Sequence, residues 1–196
     1  MHPTRLVFFS GLILLCCSPA LAQRPGPEFW RKLTCEPYEP RTKLEAIDDR
    51  YSAVIIKAFT RITTIEVHGV RIDAVDMREM GGNTRAKGIV VSLREEGGRL
   101  NDNRAFVDYE EIDALVNAID VIARVDETMT RLPGFEGRYK TLGDLELSVF
   151  RQTRSGAAVT LTTGICDRAT QTLTLDDLAK VKAMIQEAKT RLDELR

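Results

Sequence analysis

Two stretches with the same layout indicate the fold class: residues 108–122, DYEEIDALVNAIDVI, and residues 174–188, TLDDLAKVKAMIQEA. At a shift of 66 residues their apolar positions coincide at helical spacing, Ile112 with Leu178, Leu115 with Val181 and Ile119 with Ile185. Apolar residues three and four apart give an α-helix one apolar face. Each stretch therefore predicts an amphipathic helix that packs on a core.

Three short patterns mark helix starts. A hydroxyl or carboxylate residue followed three positions later by a carboxylate forms a capping box, in which each side chain accepts from the other's backbone N–H. The pattern occurs at Thr42–Glu45, at Asp108–Glu111 and at Thr174–Asp177. It predicts a short helix over residues 43–50 and the starts of the two amphipathic helices.

Strands are predicted where apolar and polar residues alternate, because successive side chains of a strand point to opposite faces. The segments are residues 70–78, 88–93, 145–149 and 157–161. Residues 52–60 are open between an extension of the first helix and a strand. The β-branched run Val54-Ile55-Ile56 favours the strand.

These elements predict an α+β fold with an antiparallel sheet and helices on one face. We expect one domain over residues 42–196, and the shift of 66 suggests a duplicated strand–strand–helix unit with halves 42–130 and 131–196. The alternative is that the two helices look alike because all capped amphipathic helices do.

The N-terminus reads as a secretory signal peptide. Arg5 precedes an uncharged apolar run that ends in Ala20-Leu21-Ala22, which predicts cleavage between Ala22 and Gln23. The alternatives are less consistent with the sequence. A membrane anchor needs a longer apolar run, and a lipid-modified cysteine needs a small residue before it. We expect a secreted or periplasmic protein with no membrane span after cleavage, and an extended arm over residues 23–41.

Cys35 and Cys166 are the two cysteines that remain after cleavage. An oxidising compartment permits a disulfide between them. The alternative is two separate thiols, since sequence does not show that the residues are close.

Charge gives little support to polyanion binding. The chain has 28 Lys+Arg against 29 Asp+Glu, a formal net charge of -1. Most nucleic-acid binders rely on net positive charge, so no nucleic-acid partner is expected. Basic residues surround the first predicted strands but alternate with acids, which is typical of a mixed, solvated face.

Catalytic motifs are not evident. His68 is the one histidine after the signal peptide, and Asp73, Asp76 and Glu79 follow it. Such a set makes a carboxylate-supported site only if folding brings the side chains together, and a surface histidine is the simpler interpretation. No metal-ligand pair and no nucleotide fingerprint is present. We assign no catalytic, metal or cofactor-binding residue and expect no cofactor.

Two resemblances complement this interpretation. The units of strands followed by a helix resemble, in layout only, whirly-type modules that bind single-stranded DNA with a curved antiparallel sheet. Residues 139–144 together with residues 106–111 are similar to uncharacterised secreted bacterial proteins, which implies no known activity.

The functional hypothesis is a secreted, non-catalytic binding or assembly module. Its partner is another protein or a second copy, because sheet edges accept an added strand. The alternative is a small carboxylate-based hydrolase or metal-dependent enzyme around His68. A third hypothesis is a single-stranded nucleic-acid binder outside the cell.

Overall fold

The computed structural model describes residues 39–94, 103–129, 132, 134–152, 156–164 and 168–195, all within one compact unit, Cys35–Arg196. The described residues form three α-helices and eight strands. In chain order these are α1 Lys43–Asp48, β1 Val54–Arg61, β2 Val70–Met80, β3 Arg85–Leu93, β4 Arg104–Asp108, α2 Ile112–Ile122, β5 Glu136–Lys140, β6 Glu146–Gln152, β7 Gly156–Thr163, β8 Ala169–Leu173 and α3 Leu175–Asp193.

The strands form two antiparallel sheets, in the order β1-β2-β3-β4 and β5-β6-β7-β8. The α+β class is confirmed. The sequence predicted one sheet, and the structure divides the strands into two because α2 separates the two meanders along the chain. Each meander of four strands is followed by one helix. The predicted repeating unit of two strands and a helix therefore underestimates the strands in each half.

Each of the two long helices packs on strands of the sheet that belongs to the other half of the chain. Helix α2 follows the first sheet but contacts β5 and β6 of the second, whereas α3 follows the second sheet and packs mainly on β2 and β3 of the first. The helices also contact each other. Their buried apolar residues join those of both sheets in one core. The large apolar area buried there stabilises the two halves together.

Helix α1 lies on the opposite face of the first sheet. Leu44 and Ile47 are fully buried against Val75, Met77 and Phe106, in a second apolar cluster. The prediction of helices on one face is therefore wrong for α1. Its amphipathic turn covers only part of that outer face.

Two of the three capping boxes are confirmed, at Thr42–Glu45 and at Thr174–Asp177. The capping box predicted at Asp108 is wrong. Residues Tyr109–Glu111 form a 3-10 turn, and the Asp108 side chain caps no group in it. Its two carboxylate oxygens instead accept the backbone N–H groups of Lys43 and Leu44, at 2.8 and 3.1 Å. A residue at the end of β4 thus holds the start of α1.

Candidate binding surface

Strand β1 is the longest edge strand. It has eight residues, whereas the other three edge strands, β4, β5 and β8, have five each. Within the described parts of the chain, β1 is hydrogen-bonded to β2 and to no further strand. The edge of β4 that does not pair with β3 is partly covered by an isolated β-bridge between Phe106 and Gly143. Short or covered edges are protected from other chains, so β1 is the edge best suited to pairing.

Large apolar side chains of β1 are exposed on both faces of the sheet. On the face toward α3, Val54 is 67% and Ile56 51% exposed, and Met80 of β2, which faces Val54, is 53% exposed. On the outer face, Phe59 is 63% exposed. The exposure follows from the position of α3, which packs on β2 and β3. We call Val54–Arg61 together with Met80 the β1 edge.

The register of β1 on β2 defines which backbone groups are available. The Ile62 N–H donates to the Ile72 carbonyl at 3.0 Å, and the pairing runs without a bulge from Arg61–Asp73 to Val54–Met80. In an antiparallel pair, alternate residues direct both backbone groups to the same neighbour. The even-numbered residues of β1 therefore bond to β2. Ile55, Lys57, Phe59 and Arg61 direct their N–H and C=O groups to the free side.

The outer face of the first sheet carries a basic cluster beside the β1 edge. The cluster consists of four cations, Lys57, Arg61, Arg71 and Arg104, and two acids. Arg61 and Arg71 share Asp73 at 3.2 Å each. Lys57 and Arg104 share Asp48 at 3.5 and 3.6 Å. Four cations against two carboxylates give this surface a local positive charge that the near-neutral composition of the whole chain conceals.

Aromatic side chains accompany these cations. The Lys57 Nζ lies 5.7 Å and the Arg104 guanidinium carbon 5.5 Å from the centre of the buried Phe106 ring. Such cation–π contacts orient a cation without neutralising it. Phe59, on the same face, is exposed. The arrangement can bind an anionic group and can stack on a planar one.

The structure does not gather the acids that the sequence placed near His68. His68 is exposed at the turn before β2. Asp76 points to the face opposite Asp73 and Glu79, because their positions along β2 differ in parity. Each of these three acids also has an arginine partner, Asp73 as above, Asp76 with Arg85 and Glu79 with Arg50. They therefore do not converge with His68 on one site.

Two carboxylates, the half-buried Glu111 and the buried Asp144, fix the β5–β6 turn, a role that the sequence does not indicate. Glu111 accepts the Leu142 N–H at 3.0 Å, and Asp144 binds Arg41 and Lys140. Burial, and secondarily the charge of Asp108, raises the pKa of Glu111 above its usual value. Among the described residues, Glu111 Oε2 and Asp144 Oδ2 have no hydrogen-bond partner. Both carboxylates fix the β5–β6 turn against the first sheet, so we assign them a structural role.

The interior offers no room for a ligand at the point where the two halves meet. A cavity of about 10 Å³ lies there among apolar side chains that include Val91, Leu115 and Leu147. That volume is at the lower limit for one water molecule, and the lining has no polar partner for it. The cavity is a packing gap.

Several sequence predictions fall outside the described residues. These are the signal peptide with its cleavage between Ala22 and Gln23, most of the arm over residues 23–41, and both cysteines of the Cys35–Cys166 pair. In the part of the chain that is described, no group of three or more His, Cys, Asp or Glu side chains is placed to hold a metal ion. Those same residues include no helix with the length and apolar character to cross a membrane.

No protein-family model matches the chain, and no curated protein or solved structure is similar to it at a significant level. The β1 edge and the basic cluster are the surface features that bear on function.

Proposed function

We propose that the protein is a non-catalytic assembly module that binds an extended polypeptide by strand addition at the β1 edge. The observation that carries the proposal is the eight-residue edge strand, which within the described residues pairs on one side only and exposes Val54, Ile56 and Phe59. An added strand satisfies the outward backbone groups of β1 and covers these side chains.

Backbone pairing and side chains have separate roles in this proposal. Hydrogen bonds to the outward groups of Ile55, Lys57, Phe59 and Arg61 are available to any extended chain, so they supply affinity. Side chains opposite those of β1 supply selectivity, because facing residues on neighbouring strands are in contact. Apolar residues on the face toward α3, opposite Val54 and Ile56, are the favoured pattern.

The proposed site of action is outside the cytoplasm. The predicted signal peptide over residues 1–22 supports export to the periplasm or the medium. A module that joins polypeptides there needs no cofactor.

The test is selection of binding peptides from a displayed library of random decapeptides. We expect the selected peptides to alternate apolar and polar residues and to lose binding to a Val54→Lys/Ile56→Lys variant. A Val121→Lys/Leu142→Lys variant is the matched control, since its residues are similarly exposed elsewhere and its charge change is identical. Peptide binding that the first variant retains, or failure to select any peptide, contradicts the proposal.

A second candidate function is favoured by the basic cluster. Cations that follow a groove or sheet face, with aromatic side chains between them, are the usual means of binding single-stranded nucleic acid. Phe59 and the guanidinium groups of Arg61 and Arg71 would make the contacts.

Salt dependence distinguishes the two candidates. Binding of a labelled oligothymidylate to the basic cluster should weaken steeply as salt rises, because phosphate contacts release counterions. It should be lost in Arg61→Glu/Arg71→Glu and kept in Arg78→Glu/Arg138→Glu, whose arginines lie elsewhere on the two sheets. No binding at low salt, or equal loss in both variants, removes this candidate.

A further inference from the structure

We propose that the occupant of the β1 edge is a second copy of this chain. The two copies of β1 pair antiparallel about a two-fold axis at Ala58 and join the first sheets into one of eight strands. This inference rests on the proposed function and names its partner.

The direction of the backbone groups restricts the register. Ile55, Lys57, Phe59 and Arg61 face the free side, so hydrogen-bonded pairs must join members of this set. Only one register pairs all four of these residues with the same four residues of the partner. In it, Ile55 faces the partner's Arg61 and Lys57 faces the partner's Phe59. Each such pair exchanges two hydrogen bonds, giving about eight across the interface.

Charge selects the same register. Moving the partner by two residues in one direction puts Lys57 opposite the partner's Lys57. Moving it the other way puts Lys57 opposite the partner's Arg61. Like charges directly opposite each other on neighbouring strands are destabilising. In the register centred on Ala58, each Lys57 instead faces an exposed aromatic ring, which attracts a cation.

The residue at the axis suits its position. Ala58 faces the partner's Ala58 in a pair without mutual hydrogen bonds, where the Cα atoms approach to about 4.5 Å and side chains are closest. Its methyl group is small enough for this contact. On the same face, Ile56 lies opposite the partner's Thr60, so the exposed apolar side chains of the two β1 edges form one strip.

Disulfide trapping tests this geometry. The full chain is expressed with Cys16, Cys17, Cys35 and Cys166 each replaced by serine, and Ala58→Cys is then added. Cα atoms about 4.5 Å apart are within the range of a disulfide. We expect mild oxidation to give a covalent dimer. Thr60→Cys is the matched control. Residue 60 is also exposed on β1, but it would lie about 14 Å from its counterpart in this register, so this variant should not form the cross-link.

Sedimentation velocity over a range of concentrations gives an independent readout. Ile56→Lys should raise the dimer dissociation constant about tenfold or more, because it inserts a charge into the apolar strip. Val121→Lys should leave it unchanged. Circular dichroism of each reduced variant verifies its fold.

The outcomes separate the two proposals. Trapping at residue 58 but not 60, with a dimer sensitive to Ile56→Lys, supports self-pairing. Trapping at both residues, or a dimer insensitive to Ile56→Lys, overturns it. A monomer at all concentrations also overturns it. In that case strand addition stands if the selected decapeptides still bind the β1 edge, and it fails if they do not.

Discussion

Replacing Asp108 with alanine should detach the start of α1 from the first sheet. The Asp108 side chain accepts the N–H groups of Lys43 and Leu44 at 2.8 and 3.1 Å, and only 9% of the residue is exposed. A hydrogen bond to a charged group contributes about 1.5–3 kcal/mol. Water can reach the part-buried Lys43 amide but not the buried Leu44 amide. We therefore expect a loss of about 2–4 kcal/mol in the free energy of unfolding.

The assay is urea unfolding, with amide exchange at Lys43 and Leu44 as a local readout. The control is Glu110→Ala, which removes a different partner of Lys43. That ion pair lies in solvent, and exposed pairs contribute little, so its unfolding midpoint should match that of the unmodified protein. An Asp108→Ala variant that is no less stable than Glu110→Ala, or that keeps the protection of both amides, would contradict this prediction.

Three further predictions concern the joined halves. Gly143→Ala should destabilise the protein far more than Gly134→Ala, because a Cβ at 143 lies 1.9 Å from a β4 carbonyl oxygen and one at 134 meets nothing within 4 Å; thermal unfolding compares them. Burial raises the pKa of Glu111 in the folded state, so its contribution to stability falls as the pH rises above the unfolded value. The free energy of unfolding of Glu111→Gln, relative to that of the unmodified protein, should therefore increase as the pH rises from 4 to 7, as measured by urea midpoints. Mass spectrometry of the exported, non-reduced protein should show the Cys35–Cys166 disulfide as a loss of about two hydrogen masses.

Local patterns were predictable where the stabilising contacts are local. The capping boxes at Thr42 and Thr174 involve groups three residues apart, so the sequence contains both partners. At Asp108 the same pattern was misleading, because the partners of its carboxylate are 64 and 65 residues away. Nothing in residues 108–111 indicates that these distant N–H groups compete for the side chain.

Strand β5 shows why the number of strands was underestimated. Its sequence, Glu136-Gly-Arg-Tyr-Lys140, places only Gly137 and Tyr139 on the face toward the core and charged residues on the other. Five residues with a single large apolar side chain give almost no alternating signal. The strand is stabilised by its pairing with β6. Residues 136–140 alone do not predict that pairing.

The β1 edge and the basic cluster could not be predicted from the sequence for a related reason. The run Val54-Ile55-Ile56 indicates a strand but not its position in the sheet, and two of these side chains are more than half exposed. Their exposure depends on which strand lies at the edge and on where α3 packs, and α3 follows the other sheet. The basic cluster likewise appears only when the register brings together cations from β1, β2 and β4.

Amide exchange along β1 tests the account most directly. In dilute protein, the amides of Ile55, Lys57, Phe59 and Arg61 should exchange quickly, while those of Ile56 and Ala58, bonded to β2, exchange slowly. Raising the protein concentration, or adding a selected decapeptide, should slow the first set and leave the second unchanged. Fast exchange at the outward amides under every condition, or protection that appears on another strand instead, would contradict the β1 edge as the site of assembly.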